Sequence, residues 1–492
     1  MTDLGLVLGA GAVVLLISVL AVRVSVRLGL PSLLLYLGIG LLIGEAGLGI
    51  QFEDAQLTQA LGLSAIVLIL AEGGLTTRWQ GVRPAIGLGL LLSTVGVAVS
   101  IAVTGVALRY LLDFEWRIAL LWGAVLAATD AAAVFSVLRG TKVGARTVGS
   151  LELESGINDA PVFIAVILLS ANEPWSWWTP VLVAYELAAG AAIGVVLGLA
   201  GAWVLRRSAL PATGLYPLAT IAVCVLAYAG GQLSHASGLL ATYVAGLVLG
   251  NSKLPHRSDT VSFAEGLGWL AQIGLFVLLG VYASPGELPG AVVPALVAAG
   301  VGLLLARPLS VLASSLPFRV PWREQVFISW AGLRGAVPIV LALIPLTDGV
   351  PGARLLVDSL FVLVILLTFV QGSTLPWVGR VLGLDSGAHA KEMDVDSAPL
   401  DELGAELLQV RVTTGSKLHG VYLSELRLPA GATVSLLVRE SSGFTPLPTT
   451  RMQEGDQLLV VTTAAARDAT ERRIRAVHRA GRLARWLGEP GD

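Results

Sequence analysis

Charged residues are scarce over most of this chain, and cysteine is nearly absent. Only 38 Asp, Glu, Lys and Arg residues occur among the first 380 positions, whereas the last 112 positions hold 28. Soluble domains carry about 25% charged residues, so the first region is not an ordinary soluble domain. The single cysteine, Cys224, excludes an intramolecular disulfide framework.

What fills the chain instead is apolar. Hydrophobic residues make up 55% of the sequence, and the mean hydropathy is +0.79. These values predict a polytopic α-helical membrane protein. We therefore expect a membrane domain at 1–380, a linker at 381–403 and a soluble α+β domain at 404–492.

The membrane region divides into runs of about 20 apolar residues, the length that crosses a bilayer as a helix. We expect thirteen spans, at 3–22, 29–49, 58–76, 84–108, 117–138, 149–170, 179–205, 214–231, 236–251, 262–283, 289–312, 324–346 and 354–379.

Lys and Arg are distributed asymmetrically between the loops. Alternate loops hold Arg23, Arg27, Arg78, Arg83, Arg139, Lys142, Arg146, Arg206, Arg207, Lys253, Arg257, Arg319 and Arg323. The opposite loops hold only Arg109, Arg117 and Arg354. By the positive-inside rule the N-terminus lies outside and the C-terminal domain is cytoplasmic, on a plasma or inner membrane.

Two spans contain features that break helices. The fifth has Asp130 among small residues, and the twelfth has Arg334 between two glycines with Pro338 following. Broken helices at bilayer depth are tolerated where they are buried in protein or line a cavity, and paired breaks are typical of transporters built from inverted repeats. With spans four to six matching spans eleven to thirteen, the odd offset gives the opposite orientation that inverted repeats require.

The sixth span carries the most costly residues for a bilayer. Glu154, Ser155, Asn158 and Asp159 fall on one face of a helix, because 154 and 158, and 155 and 159, are i,i+4 pairs. Ionisable groups at this depth usually mark an ion or proton path. A polar network that only holds helices together is the alternative reading.

The oxygen atoms of this face suit K⁺ or Na⁺. Asp159, Asn158 and Ser155, with Thr129 or the carbonyl groups near it, offer several oxygen ligands to one cation. A low dielectric favours a neutral carboxylic acid and a bound cation favours a carboxylate, so proton and cation compete for Asp159. The neutral Asn158 beside it leaves one negative charge, which predicts one cation exchanged for one proton.

Three further charged residues have other predicted roles. We expect Glu154 and Arg334 to form a buried ion pair between the sixth and twelfth spans. Glu72, near the end of the third span, is a candidate for the cytoplasmic funnel. Arg307, which precedes a proline near the cytoplasmic end of the eleventh span, is interpreted as an arginine that extends its head group to the membrane surface, with a role as a gate as the alternative.

The segments Ala128-Thr129-Asp130, 154–159 and 332–335 resemble, in order and spacing, the signatures of the cation/proton antiporter-1 family, the NhaP-like exchangers. The resemblance covers about residues 5–380. It implies a homodimer, electroneutral exchange, and an elevator-like movement of a six-helix core. It also implies that Asp159, Asn158, Ser155, Thr129 and Asp130 bind the ion, that Glu154 and Arg334 bridge helices, and that no cofactor is needed for transport.

The C-terminal region has strand-like runs at 408–412, 434–439 and 457–462, then a charged helix at about 464–486. Residues 416–429 and 454–458 resemble the TrkA-C subdomain of regulators of K⁺ conductance. In related proteins this subdomain dimerises and, in some cases, binds a small nucleotide such as cyclic di-AMP. The sequence lacks a strand-borne G-x-G-x-x-G in this region, so the dinucleotide-binding half of that regulator is absent. This domain favours the potassium/proton branch of the family.

Other classes fit less well. A Na⁺/H⁺ antiporter of the same family is the first alternative to a K⁺/H⁺ antiporter. A regulator-gated K⁺ channel would need a T-V-G-Y-G-like filter, and an intramembrane aspartyl protease would need a G-x-G-D setting; the sequence has neither. A sensor that has kept the fold and lost transport also remains open. We expect no enzyme activity and no nucleic-acid partner.

Overall fold

The computed structural model describes residues 2–28, 31–50, 52–130, 144–171, 176–384, 405–413, 416–440 and 442–481. The chain forms two compact units, Met1–Ala388 and His389–Asp492. Within the described residues of the first unit, each of the thirteen predicted spans coincides with a helix. The helices are α1 (Thr2–Leu28), α2 (Ser32–Ile43), α3 (Ala55–Thr76), α4 (Trp79–Leu111), α5 (Trp116–Ala127), α6 (Ala145–Ile157 and Asp159–Ser170), α7 (Thr179–Arg207), α8 (Leu215–Leu233), α9 (Gly238–Gly250), α10 (Arg257–Tyr282), α11 (Leu288–Phe318), α12 (Trp322–Ala331 and Val337–Thr347) and α13 (Ala353–Val381).

By length and composition, eight of these described helices could cross a membrane: α3, α4, α6, α7, α8, α10, α11 and α13. Shorter apolar helices include α2, α5, α9 and the second half of α12. The loops after α1, α3, α5, α7, α9 and α11 carry the basic residues, and we call this side of the helix array the positive-loop face.

The helices pack into two groups. One group contains α2, α3, α7, α8, α9 and α10, and the other contains α4, α5, α6, α11, α12 and α13. Glycines allow close approach within the first group: a Cβ at Gly194 of α7 would lie 2.5 Å from the Ala241 carbonyl oxygen of α9. Small residues at such contacts are typical of membrane helices, where burial of apolar surface does not drive association.

In the second group, the matching helices α4 and α11 share a feature that the predicted repeat did not include, a π-helical turn. Within α4 the segment Leu92–Gly96 is π-helical, and within α11 the segment Gly302–Ala306 is π-helical too. Spans four and eleven are the matching spans of the predicted inverted repeat. Single π-turns are rare and occur frequently at functional sites.

The breaks predicted in spans five and twelve lie at the centre of this group. α5 ends at Ala127, Ala128 is extended, and the continuation at 131–143 lies outside the described residues. α12 is interrupted between Ala331 and Val337. The observed architecture agrees with the predicted fold class of a polytopic α-helical membrane protein with two broken helices.

The second unit contains a four-stranded antiparallel sheet in its described residues, with strands β1 (Ala405–Arg411), β2 (Ala432–Arg439), β3 (Ser442–Phe444) and β4 (Gln457–Thr463) in the order β1-β4-β2-β3. Helix α14 (Arg467–Ala480) follows β4. Strand β3 was not predicted from the sequence. The helix was predicted to reach about 486, and residues 482–492 lie outside the described part of the chain.

The interior of this unit is apolar, with one buried ion pair. Val412, Leu458, Val460 and Val477 belong to the core. The fully buried Asp456 carboxylate accepts two hydrogen bonds of 2.8 Å from Arg439, which raise the pKa of the Arg439 guanidinium.

Candidate functional site

The site lies where the two helix breaks cross. The Asp130 backbone N–H donates to the Leu333 carbonyl over 2.9 Å, and Nη1 of Arg334 donates to the Ala128 carbonyl over 2.7 Å. Unwinding frees backbone groups that hydrocarbon cannot satisfy. Here each break supplies partners to the other, which holds the two unwound segments together.

Three of the predicted site residues form a hydrogen-bonded network beside this crossing. Nδ2 of Asn158 donates to the Thr129 hydroxyl over 2.7 Å, and the Thr129 and Ser155 hydroxyls lie 3.2 Å apart. All three side chains are buried. The extended backbone at Ala128 directs Thr129 towards α6, where Ser155 and Asn158 occupy one face.

The same face presents two buried oxygen atoms without a hydrogen-bond partner among the described residues. They are Oδ1 of Asn158 and Oδ1 of Asp159. Buried polar atoms are nearly always satisfied, and an unpaired one costs roughly 1–3 kcal/mol. Two adjacent acceptors in this condition, beside two hydroxyl groups, form an arrangement suited to a cation.

Asp130 contributes negative charge to the same region. Its carboxyl group interacts electrostatically with Asp159. It also packs against Gly335 of α12, where an added Cβ would lie 2.7 Å from Cβ of Asp130. The glycine therefore permits the close approach of the two breaks. The structure brings all five predicted ion-binding residues into one region.

The predicted ion pair between Glu154 and Arg334 is wrong for this structure. Glu154 pairs instead with Arg307 of α11: Nη2 of Arg307 lies 2.8 Å from Oε2, and Nη1 contacts Oε1. Arg334 interacts electrostatically with Glu154 but gives its hydrogen bond to Ala128. The physical reason is the break itself, because the unwound carbonyl of Ala128 needs a donor at the position of Arg334.

The predicted surface position of Arg307 is also wrong. Its side chain is 4% exposed, and it follows directly the π-helical turn of α11. The neighbouring Gly332 leaves room for it, since a Cβ there would lie 2.6 Å from Nε of Arg307. The only sequence signal was an Arg-Pro pair near the end of an apolar span. That signal does not distinguish an arginine at the membrane surface from a buried one.

Two more residues of α13 support the unwound segment and were missed from the sequence. The Thr368 hydroxyl donates to the Arg334 carbonyl over 3.0 Å, and Nε2 of Gln371 donates to the Trp330 carbonyl over 2.8 Å. The Arg334 carbonyl lies within the unwound segment, and the Trp330 carbonyl lies in the last turn of the first half of α12. A small cavity of about 10 Å³ lies between Arg307, Gly332, Arg334 and Gln371.

Glu72, the candidate for the funnel, lies away from this network. Its side chain is half-buried in the contact between α3 and α10, where a Cβ at Gly268 would lie 2.9 Å from its Cγ. Its predicted role in ion access stays a prediction.

Comparison with known proteins agrees with this geometry. The family described as sodium/hydrogen exchanger, transmembrane, matches residues 12–381. The chain belongs to the sodium/hydrogen exchanger family. Residues 407–475 match the TrkA-C domain. Both predicted resemblances are confirmed.

Related proteins are similar over most of the exchanger. The K(+)/H(+) antiporter NhaP of Alkalimonas amylolytica is 39% identical over 407 residues, covering 81% of this chain and 70% of that protein. The K(+)/H(+) antiporter NhaP2 of Shewanella baltica is 35% identical over 464 residues, covering 92% and 80%.

A solved structure has the same fold. The sodium proton antiporter MjNhaP1 of Methanocaldococcus jannaschii superposes with a TM-score of 0.69 over 77% of this chain and 99% of that one, at 22% identity. This exchanger is thus a helical membrane transporter with a TrkA-C domain.

Proposed function

We propose that this exchanger is a K⁺/H⁺ antiporter that exchanges one cation for one proton at Asp159. The observation that carries this proposal is the pair of unpaired buried oxygens on Asn158 and Asp159, beside the hydroxyl groups of Thr129 and Ser155. The protein provides acceptors there and leaves them unused. A bound cation, or a proton on Asp159, would give these unpaired oxygen atoms a partner.

Asp159 is the residue that alternates between the two ions. Burial favours its neutral acid, and a bound cation favours its carboxylate, so each ion displaces the other. Asn158 contributes an oxygen but no charge. The site therefore changes by one charge per exchange, which supports electroneutral transport, with Asp130 contributing to the attraction of the cation.

The two helix groups support alternating access by an elevator-like movement. All the proposed ion-binding residues belong to the group containing α4, α5, α6, α11, α12 and α13. The ion pair between Glu154 and Arg307 and the crossing of the breaks hold this group together internally. We propose that it moves as a unit against the other group, which forms the contact in a homodimer.

Potassium is favoured over sodium by two observations. The C-terminal unit matches the TrkA-C domain, the subdomain that it was expected to share with regulators of K⁺ conductance, and the two relatives compared above are named K(+)/H(+) antiporters. A Na(+)/H(+) antiporter, ApNhaP of Aphanothece halophytica, is also similar, at 29% identity. Sodium exchange is therefore the second candidate.

The basic residues support an orientation with the positive-loop face towards the cytoplasm. We propose that the exchanger lies in the plasma or inner membrane with the N-terminus outside. The TrkA-C domain would then be cytoplasmic, where it regulates exchange and is available to a small nucleotide such as cyclic di-AMP.

Everted membrane vesicles with a pH-sensitive dye test the function. Addition of KCl should dissipate a preformed proton gradient, and NaCl and RbCl rank the alternatives. Dissipation by NaCl alone would contradict potassium exchange. Cation-driven movement of net charge, measured with a potential-sensitive dye, would contradict the one-for-one exchange.

Truncation after Leu384 tests the regulatory role separately. Exchange should persist, and only its dependence on pH or on an added nucleotide should change. Loss of exchange in a correctly assembled truncated protein would instead make the C-terminal domain part of the transport machinery.

A further inference from the structure

A half-buried carboxyl group of α6, that of Glu152, contacts the opposite helix group near the positive-loop face. Glu152 lies two turns before Asp159 on α6, and its Oε1 is 2.7 Å from the hydroxyl oxygen of Thr77. Thr77 follows α3 directly and is 2% exposed. This hydrogen bond therefore joins the group that carries the ion site to the other group.

The Thr77 hydroxyl has two neighbouring acceptors and one hydrogen. It lies 2.7 Å from the Gly73 carbonyl oxygen as well as 2.7 Å from Glu152. Both distances are the usual length of an O–H···O hydrogen bond. One hydroxyl hydrogen shared between two acceptors would make at least one of them a poor bond.

The Thr77 hydroxyl can form full hydrogen bonds with both Gly73 and Glu152 if Glu152 is protonated and supplies a hydrogen of its own. A protonated carboxyl group donates to the Thr77 oxygen, while the Thr77 hydroxyl donates to Gly73 within its own helix. Thr77 cannot turn away easily, because its carbonyl accepts a 2.9 Å hydrogen bond from Nδ2 of Asn251, at the end of α9. The same Asn251 accepts from the Trp79 N–H over 2.8 Å.

We infer that Glu152 binds a proton in this conformation, and that this proton closes a hydrogen-bonded contact between the two helix groups at the positive-loop face. On deprotonation the proton passes to water at that face, and the carboxylate and the Gly73 carbonyl are left with a single hydrogen between them. The contact weakens, and the groups are freer to separate. The consequence for transport rests on the proposed function, because it requires the groups to move.

Among the described residues, few opposing charges lie around Glu152. Tyr243 of α9 interacts with the side chain of Thr77 and, electrostatically, with Glu152. The other described titratable or charged groups on elements packed against this part of α6 are Glu72 on α3, Arg78 just after α3, Arg83 on α4, and Arg323 and Glu324 on α12. Glu324 accepts a hydrogen bond from Thr147.

Infrared difference spectroscopy tests the proton directly. Spectra of the purified full-length protein between acidic and alkaline pH should contain a carboxylic-acid carbonyl band that is absent in Glu152→Gln and retained in Asp159→Asn. An unchanged spectrum in Glu152→Gln would overturn the inference. Because this readout needs no exchange, it is independent of the antiport proposal.

The pH profile of exchange tests the contact. Thr77→Val removes the hydroxyl, so maximal exchange at acidic pH should rise about fivefold, the equivalent of one hydrogen bond, with little change at alkaline pH. Glu152→Gln keeps a donor at every pH, and its profile should become flat at the acidic rate. The KM for K⁺ should not change in either variant.

Thr76→Val is the matched control, because the Thr76 hydroxyl bonds only within α3, to the Glu72 carbonyl at 2.9 Å and the Gly73 carbonyl. It should behave as the wild type. A raised KM in Glu152→Gln with a normal pH profile would show that Glu152 attracts the cation instead. If Glu152→Gln fails to assemble, an unaltered profile in Thr77→Val is sufficient to reject the contact.

Discussion

Glu154 and Asp159 lie five residues apart on one helix, and both are almost completely buried. Glu154 is satisfied at both oxygens by Arg307, whereas Oδ1 of Asp159 has no hydrogen-bond partner within the described structure. The difference separates two uses of a buried carboxylate. A paired one holds helices together, and an unpaired one is available to exchange ions.

The two carboxylates are buried to a similar extent, so the difference between them comes from the residues that each one faces. Glu154 faces α11, whose π-helical turn and the small Gly332 admit an arginine. Asp159 faces the crossing of the breaks, where Arg334 donates to a backbone carbonyl. Asp130 adds a second carboxyl group there, which interacts electrostatically with Asp159. The same helix thus has a neutral region next to a region with an excess of acceptors.

The largest effect is expected from Asp159→Asn. Exchange should fall to the background of vesicles without the protein, because the carboxyl group proposed to exchange the proton for the cation is gone, while thermal stability should stay equal or rise. Dye-quenching in vesicles and thermal unfolding in detergent measure the two. Asp358→Asn is the matched control, since Asp358 is a buried carboxylate of α13 paired with Arg354 at 3.2 Å, and it should retain exchange.

Glu154→Gln should lower the stability of the protein, whereas Asp159→Asn should abolish exchange without lowering stability. It leaves Arg307 buried without its counter-charge, so we expect a loss of about 3–5 kcal/mol in stability. Thermal unfolding and the yield of assembled protein measure it. The double variant Glu154→Gln with Arg307→Gln should recover part of the loss, and strict additivity of the two changes would contradict the pairing.

Gly335→Ala tests the close approach of the breaks. A methyl group there overlaps Asp130, and overpacking of this kind costs about 1–3 kcal/mol. If that cost falls on the ion-binding geometry, the KM for K⁺ should rise by about 5- to 150-fold. Gly300→Ala is the control, because a Cβ at Gly300 would have no atom within 4 Å. Equal kinetics in the two variants would contradict the proposed crowding.

Thr129→Val should have the smallest effect of the four. It removes one hydroxyl from the network and leaves Asp159 in place, so the KM for K⁺ should rise about fivefold with the maximal rate nearly unchanged. Exchange assays over a range of KCl concentrations measure it. A loss as complete as that of Asp159→Asn would mean that Thr129 has a role beyond one ligand.

Sequence patterns were sufficient for the helices and for the set of polar residues that the structure brings together at the proposed ion site. Span length, the i,i+4 spacing of 154–159, and the glycines around Arg334 are all local properties. The partner of Glu154 is not local. Choosing it required the π-helical turn before Arg307 and the need of Ala128 for a donor, and both depend on how the breaks cross.

The short strand β3 and the supporting residues Thr368 and Gln371 were missed for a similar reason. A three-residue strand has too little alternation to be recognised. A threonine and a glutamine in a long apolar helix carry no signal until the carbonyls they satisfy are known. Hydrogen bonds to unwound backbone are therefore the part of such a site that is hardest to predict from the sequence.

The most direct measurement is the number of protons released when K⁺ binds to the purified protein in detergent, in weakly buffered solution with a pH indicator. One proton per K⁺ is expected for the wild type, and none for Asp159→Asn. Undiminished release in Asp159→Asn, or two protons per ion in the wild type, would contradict the assignment of a single exchanging carboxylate.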